Sequence, residues 1–159
     1  MSGYAQTAGG ETNAFLYSNG TMTDLGALSG GRSEAYGVNG KGQVTGQALT
    51  ANGDYRAFLY SNGTMTDLGA VNGVGSIGWG INDAGEVVGQ TSTATGVPVA
   101  FLYSGGHMVD LNTLLPSGSG WVVSGAYAIN DNGQIAGYGT ITGSGQQDAF
   151  LMTPVPLAA

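Results

Sequence analysis

Ala57–Gly69 reads AFLYSNGTMTDLG, and near copies of this segment recur along the chain. Ala14–Gly26 repeats it letter for letter, Ala100–Asn112 repeats it with substitutions, and Ala149–Met152 repeats only its beginning. The phenylalanines of the first three copies are 43 residues apart. Self-similarity at a fixed period of this size is the sequence signature of a repeat protein. We therefore expect tandem duplication of one structural unit.

Each copy predicts a β-hairpin. Ala57–Tyr60 is apolar on both faces, as in a strand that is covered on both sides. Ser61–Thr64 supplies Asn-Gly, which favours a type I′ turn because both central residues tolerate positive φ. Thr64–Leu68 is rich in threonine and alternates imperfectly, as expected of an outer, partly exposed strand. We call these two segments the first and second strand types.

A second predicted hairpin follows a glycine-rich connection. Its strands are Ser33–Asn39 and Gln43–Ala48, here called the third and fourth types, with Asn39–Gly42 as the tight turn between them. The chain begins on a fourth-type strand and closes on a first-type strand, which gives 14 predicted strands in all. One position of the third type is aromatic in every unit, namely Tyr36, Trp79 and Tyr127.

Four antiparallel strands in about 43 residues match the size of a β-propeller blade. The prediction is an all-β protein of tandem four-stranded antiparallel repeats forming β-propeller-like blades, with a β-prism or a β-solenoid stack as the alternative. Residues 1–159 are expected to form a single repeat domain that ends in a C-terminal tail at 154–159. The repeats are expected at approximately 3–45, 46–88, 89–136 and, incompletely, 137–153. The incomplete terminal repeats predict self-association.

Composition limits the possible partners. Hydrophobic residues make up 42% of the chain, which is enough for a core. The net charge is −7 with three Lys and Arg residues in total, so the chain offers no basic patch for nucleic acid or anionic membrane surfaces. No apolar run reaches the length of a membrane helix, so we expect no membrane insertion. The first residues also lack the pattern of a signal peptide.

These motifs resemble the HAF family of probable extracellular repeats, which is named for a His-Ala-Phe tripeptide. The markers are the AFLYSNG and MTDLG parts of Ala57–Gly69 together with Ile81–Gly85 and Ile129–Gly133, and the resemblance covers essentially the whole chain. Members of that family are mostly secreted bacterial proteins, so the resemblance implies an extracellular or cell-envelope location. It implies no particular activity. The histidine of the family name is replaced in each copy, by Asn13, Arg56, Val99 and Asp148.

The strongest irregularity in the repeat is an insertion in the third unit. The segment from Asp110 to Asn130 is five residues longer than the equivalent segment from Asp67 to Asn82 in the second unit. Insertions in repeat arrays often map to the binding face. Trp121 lies in this insertion and is predicted to help form an aromatic platform for a glycan or a protein ligand. Alternatively, Trp121 and the neighbouring leucines cap an exposed end of the array. The other candidate ligand-binding residues are Trp79, Tyr55, Arg56 and the single histidine, His107.

Acidic side chains near two predicted turns form a weak candidate calcium site. Asp83, Glu86 and Asp131 place oxygen ligands close together in tight loops. The calcium-loop spacing is absent, however, and Lys41 stands in the equivalent loop of the first unit. Turn formation is therefore the favoured interpretation. We expect no metal ion and no other cofactor.

Catalysis is the alternative function. A hydrolase acting on polysaccharide would need paired carboxylates across one cleft. A nucleophilic triad is not favoured, because no Gly-x-Ser-x-Gly motif accompanies the single histidine.

The favoured function is a secreted or cell-surface module that binds a glycan, a protein or its own copies without catalysis. A structural envelope or matrix component is the third possibility. The candidate acids of a hydrolase are Glu11, Glu34, Asp54 and Glu86.

Overall fold

The computed structural model describes residues 1–29, 31–71, 73 and 75–154. Within these ranges, a single 3₁₀ turn at Leu111–Leu114 is the only helix, and no helix is long and apolar enough to span a membrane. The all-β prediction is therefore confirmed. The 14 strands are β1 (Ser2–Gln6), β2 (Thr12–Ser18), β3 (Thr21–Asp24), β4 (Ser33–Val38), β5 (Val44–Leu49), β6 (Tyr55–Ser61), β7 (Thr64–Asp67), β8 (Ser76–Ile81), β9 (Val87–Ser92), β10 (Pro98–Ser104), β11 (His107–Asp110), β12 (Trp121–Ile129), β13 (Ile135–Ile141) and β14 (Gln147–Met152).

These strands form four antiparallel sheets of consecutive strands. The first sheet is β1–β3, the second β4–β7, the third β8–β11 and the fourth β12–β14. Each four-stranded sheet starts with a third-type strand and ends with a second-type strand, so the glycine-rich connection crosses from one sheet to the next. The tandem antiparallel repeat is confirmed, whereas closure into a propeller stays a prediction. Residues 155–159 of the predicted tail lie outside the described residues.

The hairpin turns have the predicted backbone conformation. Asn19 and Asn62 have φ values of 50° and 51°, and the glycine that follows each has a φ of 78° or 80°. Positive φ at both central residues is the requirement of the type I′ turn. The Asn-Gly pairs therefore set the register of the first-type and second-type strands, with Ser18 opposite Thr21 and Ser61 opposite Thr64.

Consecutive sheets pack face to face through their third-type strands. In the second sheet β4 contacts β1 and β2, in the third β8 contacts β4 to β6, and in the fourth β12 contacts β8 to β10. An apolar cluster fills each interface, and Phe58 and Phe101 are fully buried in the first two. Burying such a side chain stabilises the fold by about 1.5–3 kcal/mol. The phenylalanine of the repeat therefore faces the preceding sheet and holds the stack together.

Buried serines tie successive sheets together. The Ser33 hydroxyl accepts a 2.9 Å hydrogen bond from the backbone N–H of Ala14 in the first sheet and donates to the Gly26 carbonyl. Ser76 makes the equivalent bonds to Ala57, also at 2.9 Å, and to Gly69. Because both hydroxyls are buried and fully used, these recurring serines belong to the scaffold.

Candidate functional site

A β-bulge interrupts the third-type strand at the shared aromatic position. In the second sheet Ala35 lies opposite Gly46 and Gly37 lies opposite Thr45, which leaves Tyr36 without an opposite residue. The same irregularity isolates Trp79 in β8 and Tyr127 in β12. A bulge changes the direction of a side chain and is common beside functional sites. Three equivalent bulges therefore set three aromatic rings in corresponding positions.

The rings meet across the sheets and form what we call the aromatic ladder, Tyr36–Trp79–Tyr127–Tyr138. The Tyr36 and Trp79 ring centroids are 4.8 Å apart, and those of Trp79 and Tyr127 are 6.0 Å apart in an edge-to-face arrangement. Tyr138, from β13, stacks on Tyr127 at 5.5 Å. These separations are typical of favourable aromatic pairs. The ladder remains accessible, since Tyr127 is 55% exposed.

A polar network joins the Tyr36 end of the ladder. The buried Glu34 carboxylate accepts hydrogen bonds from the Tyr36 hydroxyl, from Gln47 Nε2 at 2.9 Å and from Arg32 Nη2 at 2.6 Å. Gln47 Nε2 also lies 3.0 Å from the Tyr36 hydroxyl. The guanidinium and the carboxylate form a charge-assisted pair, which is shorter and stronger than a neutral hydrogen bond. The network therefore fixes the orientation of both the ring and the amide.

The same contacts determine the protonation states of this network. The hydrogen bond from Tyr36 holds the pKa of the Glu34 carboxyl below its usual value, and the bonds from Arg32 and Gln47 act in the same direction against burial. Burial raises the pKa of Tyr36 well above its usual value, and the bond to Glu34 adds to this effect. At neutral pH Glu34 is therefore an ionised acceptor, and Tyr36 is a neutral donor.

A cleft of about 410 Å³ lies between the second and third sheets, and two equivalent glutamines line it. Gln47 is bonded to Tyr36 at one end of the ladder. Gln90 donates a 3.1 Å hydrogen bond to the hydroxyl of Tyr138 at the other end. Tyr55 also lines the cleft. The two glutamines therefore connect the cleft to the ladder, and Tyr55 is the aromatic residue that lines the cleft itself.

The structure brings together some of the residues expected to form the aromatic platform. Trp79 lies in the ladder and Tyr55 in the cleft. Trp121 lies elsewhere, because it begins β12 six residues before Tyr127, or roughly 20 Å away along an extended strand. Arg56 lines a different cleft of about 460 Å³, together with Asp54.

The remaining candidate ligand-binding residue lies on a hairpin. His107 is the first residue of β11, is paired with Ser104, and is exposed. The insertion in the third unit contains two adjacent leucines with different exposure. Leu115 joins the apolar cluster between the third and fourth sheets, whereas Leu114 is 54% exposed. Leu115 of the insertion therefore contributes to the packing between these two sheets.

The candidate calcium ligands are all engaged in hydrogen bonds, those of Asp83 and Asp131 between sheets and that of Glu86 within its own turn. Asp83 Oδ1 accepts from the backbone N–H of Gly40 at 2.7 Å, and Asp131 Oδ1 accepts from that of Asp83 at 2.8 Å. Glu86 accepts from Asn82 Nδ2 at 2.7 Å. Across the part of the chain that the structure describes, no group of three or more His, Asp or Glu residues could hold a metal ion. Asp83 and Asp131 therefore link the turns of successive sheets.

The candidate acids of a hydrolase have separate environments. Both oxygens of Glu34 accept hydrogen bonds, and its lowered pKa is the opposite of what a general acid requires. Asp54 lies 4.0 Å from Arg56, Glu11 is exposed, and Glu86 also accepts a hydrogen bond from Ser104.

The aspartates that recur in each copy of the repeat behave as scaffold residues, because each accepts a 2.8 Å hydrogen bond from a backbone N–H two residues further on. They are Asp24, Asp67 and Asp110.

The sequence indicates Glu34 only as a candidate acid, and it does not single out Arg32, Gln47, Gln90 or Tyr138. Arg32 and Glu34 are two residues apart in an extended segment and so share a face, which is a signal for an ion pair. The equivalence of Gln47 and Gln90 is visible in the repeat, but their bonds to tyrosines come from pairing between strands.

Comparison with known proteins leaves the family open. No protein-family model matches the chain, and no curated protein matches its sequence. The fold and the site define a tandem antiparallel β-repeat protein with an aromatic ladder that joins three of its four sheets. The chemistry of the ladder and the cleft is the basis for assigning a function.

Proposed function

We propose that the chain is a non-catalytic module that binds a neutral glycan in the cleft between its second and third sheets. One observation carries this proposal. The two cleft glutamines are hydrogen-bonded to the two ends of the aromatic ladder, Gln47 to Tyr36 and Gln90 to Tyr138. Small-molecule sites typically combine apolar and aromatic walls with a few placed polar groups.

The chemistry of a sugar fits this combination. A pyranose ring presents C–H groups on its faces, which pack on aromatic rings, and hydroxyls that both donate and accept hydrogen bonds. Glutamine amides and the Tyr55 hydroxyl can supply both donors and acceptors. The Glu34 carboxylate is paired with Arg32, so the polar network adds little net charge. A neutral glycan is therefore favoured over a charged one.

The remaining features are compatible with an extracellular or cell-envelope setting. The resemblance to secreted repeat proteins is the support for that location. The net charge of −7 makes an anionic partner such as nucleic acid unfavourable.

A glycan array followed by calorimetry tests the proposal. We expect a neutral oligosaccharide to bind and the Gln90→Ala variant to bind it about fivefold more weakly, because one lost hydrogen bond costs about 1 kcal/mol. The His107→Ala variant is the control, since this side chain is exposed on a hairpin. An array without any bound glycan, or equal losses in both variants, would contradict the proposal.

Association with its own copies is the second candidate function, because the outer faces of the first and fourth sheets expose residues that internal sheets bury. Ala57 and Ala100 are fully buried, whereas the equivalent Ala149 is exposed and the nearby Leu151 is 67% exposed. On the first sheet, Met22 is 60% exposed. Stacking of the fourth sheet of one copy on the first sheet of another would cover both faces. Such assembly is also the basis for a structural envelope role.

A further inference from the structure

The first sheet has an open edge at β1. The equivalent strands β5, β9 and β13 each pair on both sides, with a first-type strand on one side and a third-type strand on the other. Among the described residues β1 pairs only with β2. Tyr4 is 54% exposed as a result, whereas the equivalent Gln47, Gln90 and Tyr138 are half-buried.

The backbone of β1 presents hydrogen-bonding groups to this open edge. Met1 and Tyr17 exchange backbone bonds of 2.8 and 3.1 Å, and Thr7 donates to Glu11 at 2.7 Å. Because bonded pairs alternate along an antiparallel ladder, the N–H and C=O groups of Tyr4 point away from β2. An unpaired row of this kind is a template for another strand.

A backbone geometry that recurs in the other three sheets shows what kind of strand would fit the edge of β1. At Gly46, Gly89 and Gly137 an added Cβ would lie 1.9, 1.9 and 2.1 Å from a carbonyl oxygen of the bulged third-type strand. Gly3 occupies the same position of β1, opposite Phe15. The nearest atoms to a Cβ there belong to the far end of the flexible Phe15 ring, at 2.9 Å. Gly3 therefore leaves room for a bulged strand.

We infer that the β1 edge binds an extended segment of the third-type pattern, Ser-x-(Ala/Gly)-aromatic-(Gly/Ala)-(Val/Ile), from a chain built from the same repeat. This is strand addition to an exposed sheet edge, in which backbone bonds supply affinity and side-chain positions supply specificity. The occupant is defined by the three in-chain precedents β4, β8 and β12. The inference does not depend on the glycan site.

The register follows from the second sheet. Ala35 lies opposite Gly46 and Ser33 lies opposite Ala48. The incoming alanine will therefore lie opposite Gly3 and the incoming serine opposite Ala5. The bulged aromatic residue will lie beside Tyr4 and extend the aromatic ladder onto the first sheet.

A peptide with the sequence of Gly31–Asn39, GRSEAYGVN, tests the inference. The fluorescein-labelled peptide is titrated into the full chain and followed by fluorescence anisotropy, with a scrambled peptide of the same composition as the control. Hydrogen exchange at the Tyr4 amide is measured with and without peptide. We expect saturable binding of the native order, at least tenfold weaker binding of the scrambled order, and slower exchange at Tyr4.

Two glycine variants test the role of Gly3. We expect Gly3→Ala to weaken peptide binding at least tenfold, because the new methyl group would meet the incoming carbonyl oxygen. Gly9→Ala is the matched control, since a Cβ there makes only an ordinary contact of 3.7 Å. Equal affinity for both peptides, or binding without protection of Tyr4, would overturn the inference. The exchange measurement decides the question even where Gly3→Ala fails to fold.

Discussion

Tyr36 and Trp79 occupy the same bulge in successive sheets, and their ring centroids lie 4.8 Å apart with a tilt of 35° between the ring planes. Packed sheets lie about 10 Å apart, and the two rings make direct contact across such an interface. Duplication has therefore turned one aromatic position into a surface that joins several units.

Energetic coupling within the ladder is the first prediction. In a double-mutant cycle of Trp79→Leu and Tyr127→Leu, we expect a coupling free energy of about 0.5–1.5 kcal/mol, the usual value for an aromatic pair. Urea unfolding of the four proteins measures it. Tyr17→Leu, on the outer face of the first sheet, is the control partner for Trp79→Leu and should be additive. Additivity of the ladder pair would count against a functional contact between these rings.

The serine ties between sheets predict a clear loss of stability. Ser76→Ala removes a buried hydroxyl and leaves the N–H of Ala57 and the carbonyl of Gly69 without this partner. The free energy of unfolding should fall by about 1–3 kcal/mol, the cost of unsatisfied buried polar groups. Ser18→Ala, at an exposed turn, is the matched control and should change it little. Comparable stability of the two variants would show that Ser76 does not tie the sheets.

The Glu34 network predicts that the stability of the fold depends on pH at both acidic and alkaline pH. The folded-state pKa of Glu34 lies below its usual value of 4.5, so its stabilisation is present above that value and is lost as the pH falls below it. The pKa of Tyr36 is raised from its usual value of 10.0, so its stabilisation is present below pH 10 and is lost as the pH rises further.

Substitution of Glu34 tests the predicted loss of its stabilisation at acidic pH. The Glu34→Gln variant should be less stable than the parent chain near pH 7, and the difference should shrink as the pH falls below about 4.5. Thermal unfolding at several pH values measures the effect. An Asp148→Asn variant serves as a control for an exposed carboxylate. A difference that stays constant from neutral pH to acidic pH would mean that Glu34 is not held ionised by its neighbours.

If copies of the chain associate, their assembly should depend on the apolar outer face of the fourth sheet. Sedimentation velocity should show species larger than a monomer at high concentration, and Leu151→Asp should abolish them because it places a charge on the apolar face. Leu114→Asp is the control, since this leucine is also exposed, at 54%, but lies in the connection between the third and fourth sheets. A concentration-independent monomer of the parent chain would exclude assembly through these faces.

Much of the scaffold could be predicted from the repeat because its signals are local. The Asn-Gly pairs at Asn19 and Asn62 specify their turns, and the apolar run Ala57–Tyr60 specifies a buried strand. The period alone does not indicate which four consecutive strands share a sheet. That choice depends on the connection after Asp67, which crosses to the next sheet instead of closing a hairpin.

The site was harder to predict because its contacts join different strands. The sequence shows that Tyr36 and Trp79 share a position, but their stacking follows from a bulge that forms only when the strands pair. The bond from Gln47 to Glu34 likewise requires the register between β4 and β5. Trp121 is conspicuous in the sequence because it lies in an insertion, and that signal carries no information about its distance from Trp79.

A fluorescence titration tests the central claim, that the ladder and its cleft form the binding site. The chain has two tryptophans, so Trp121→Phe leaves Trp79 as the only tryptophan reporter, and Trp79→Phe leaves Trp121. With the oligosaccharide selected on the array, we predict a saturable change of tryptophan emission in Trp121→Phe and no change in Trp79→Phe. A change that is retained in Trp79→Phe and lost in Trp121→Phe would contradict the account and place the ligand at the insertion.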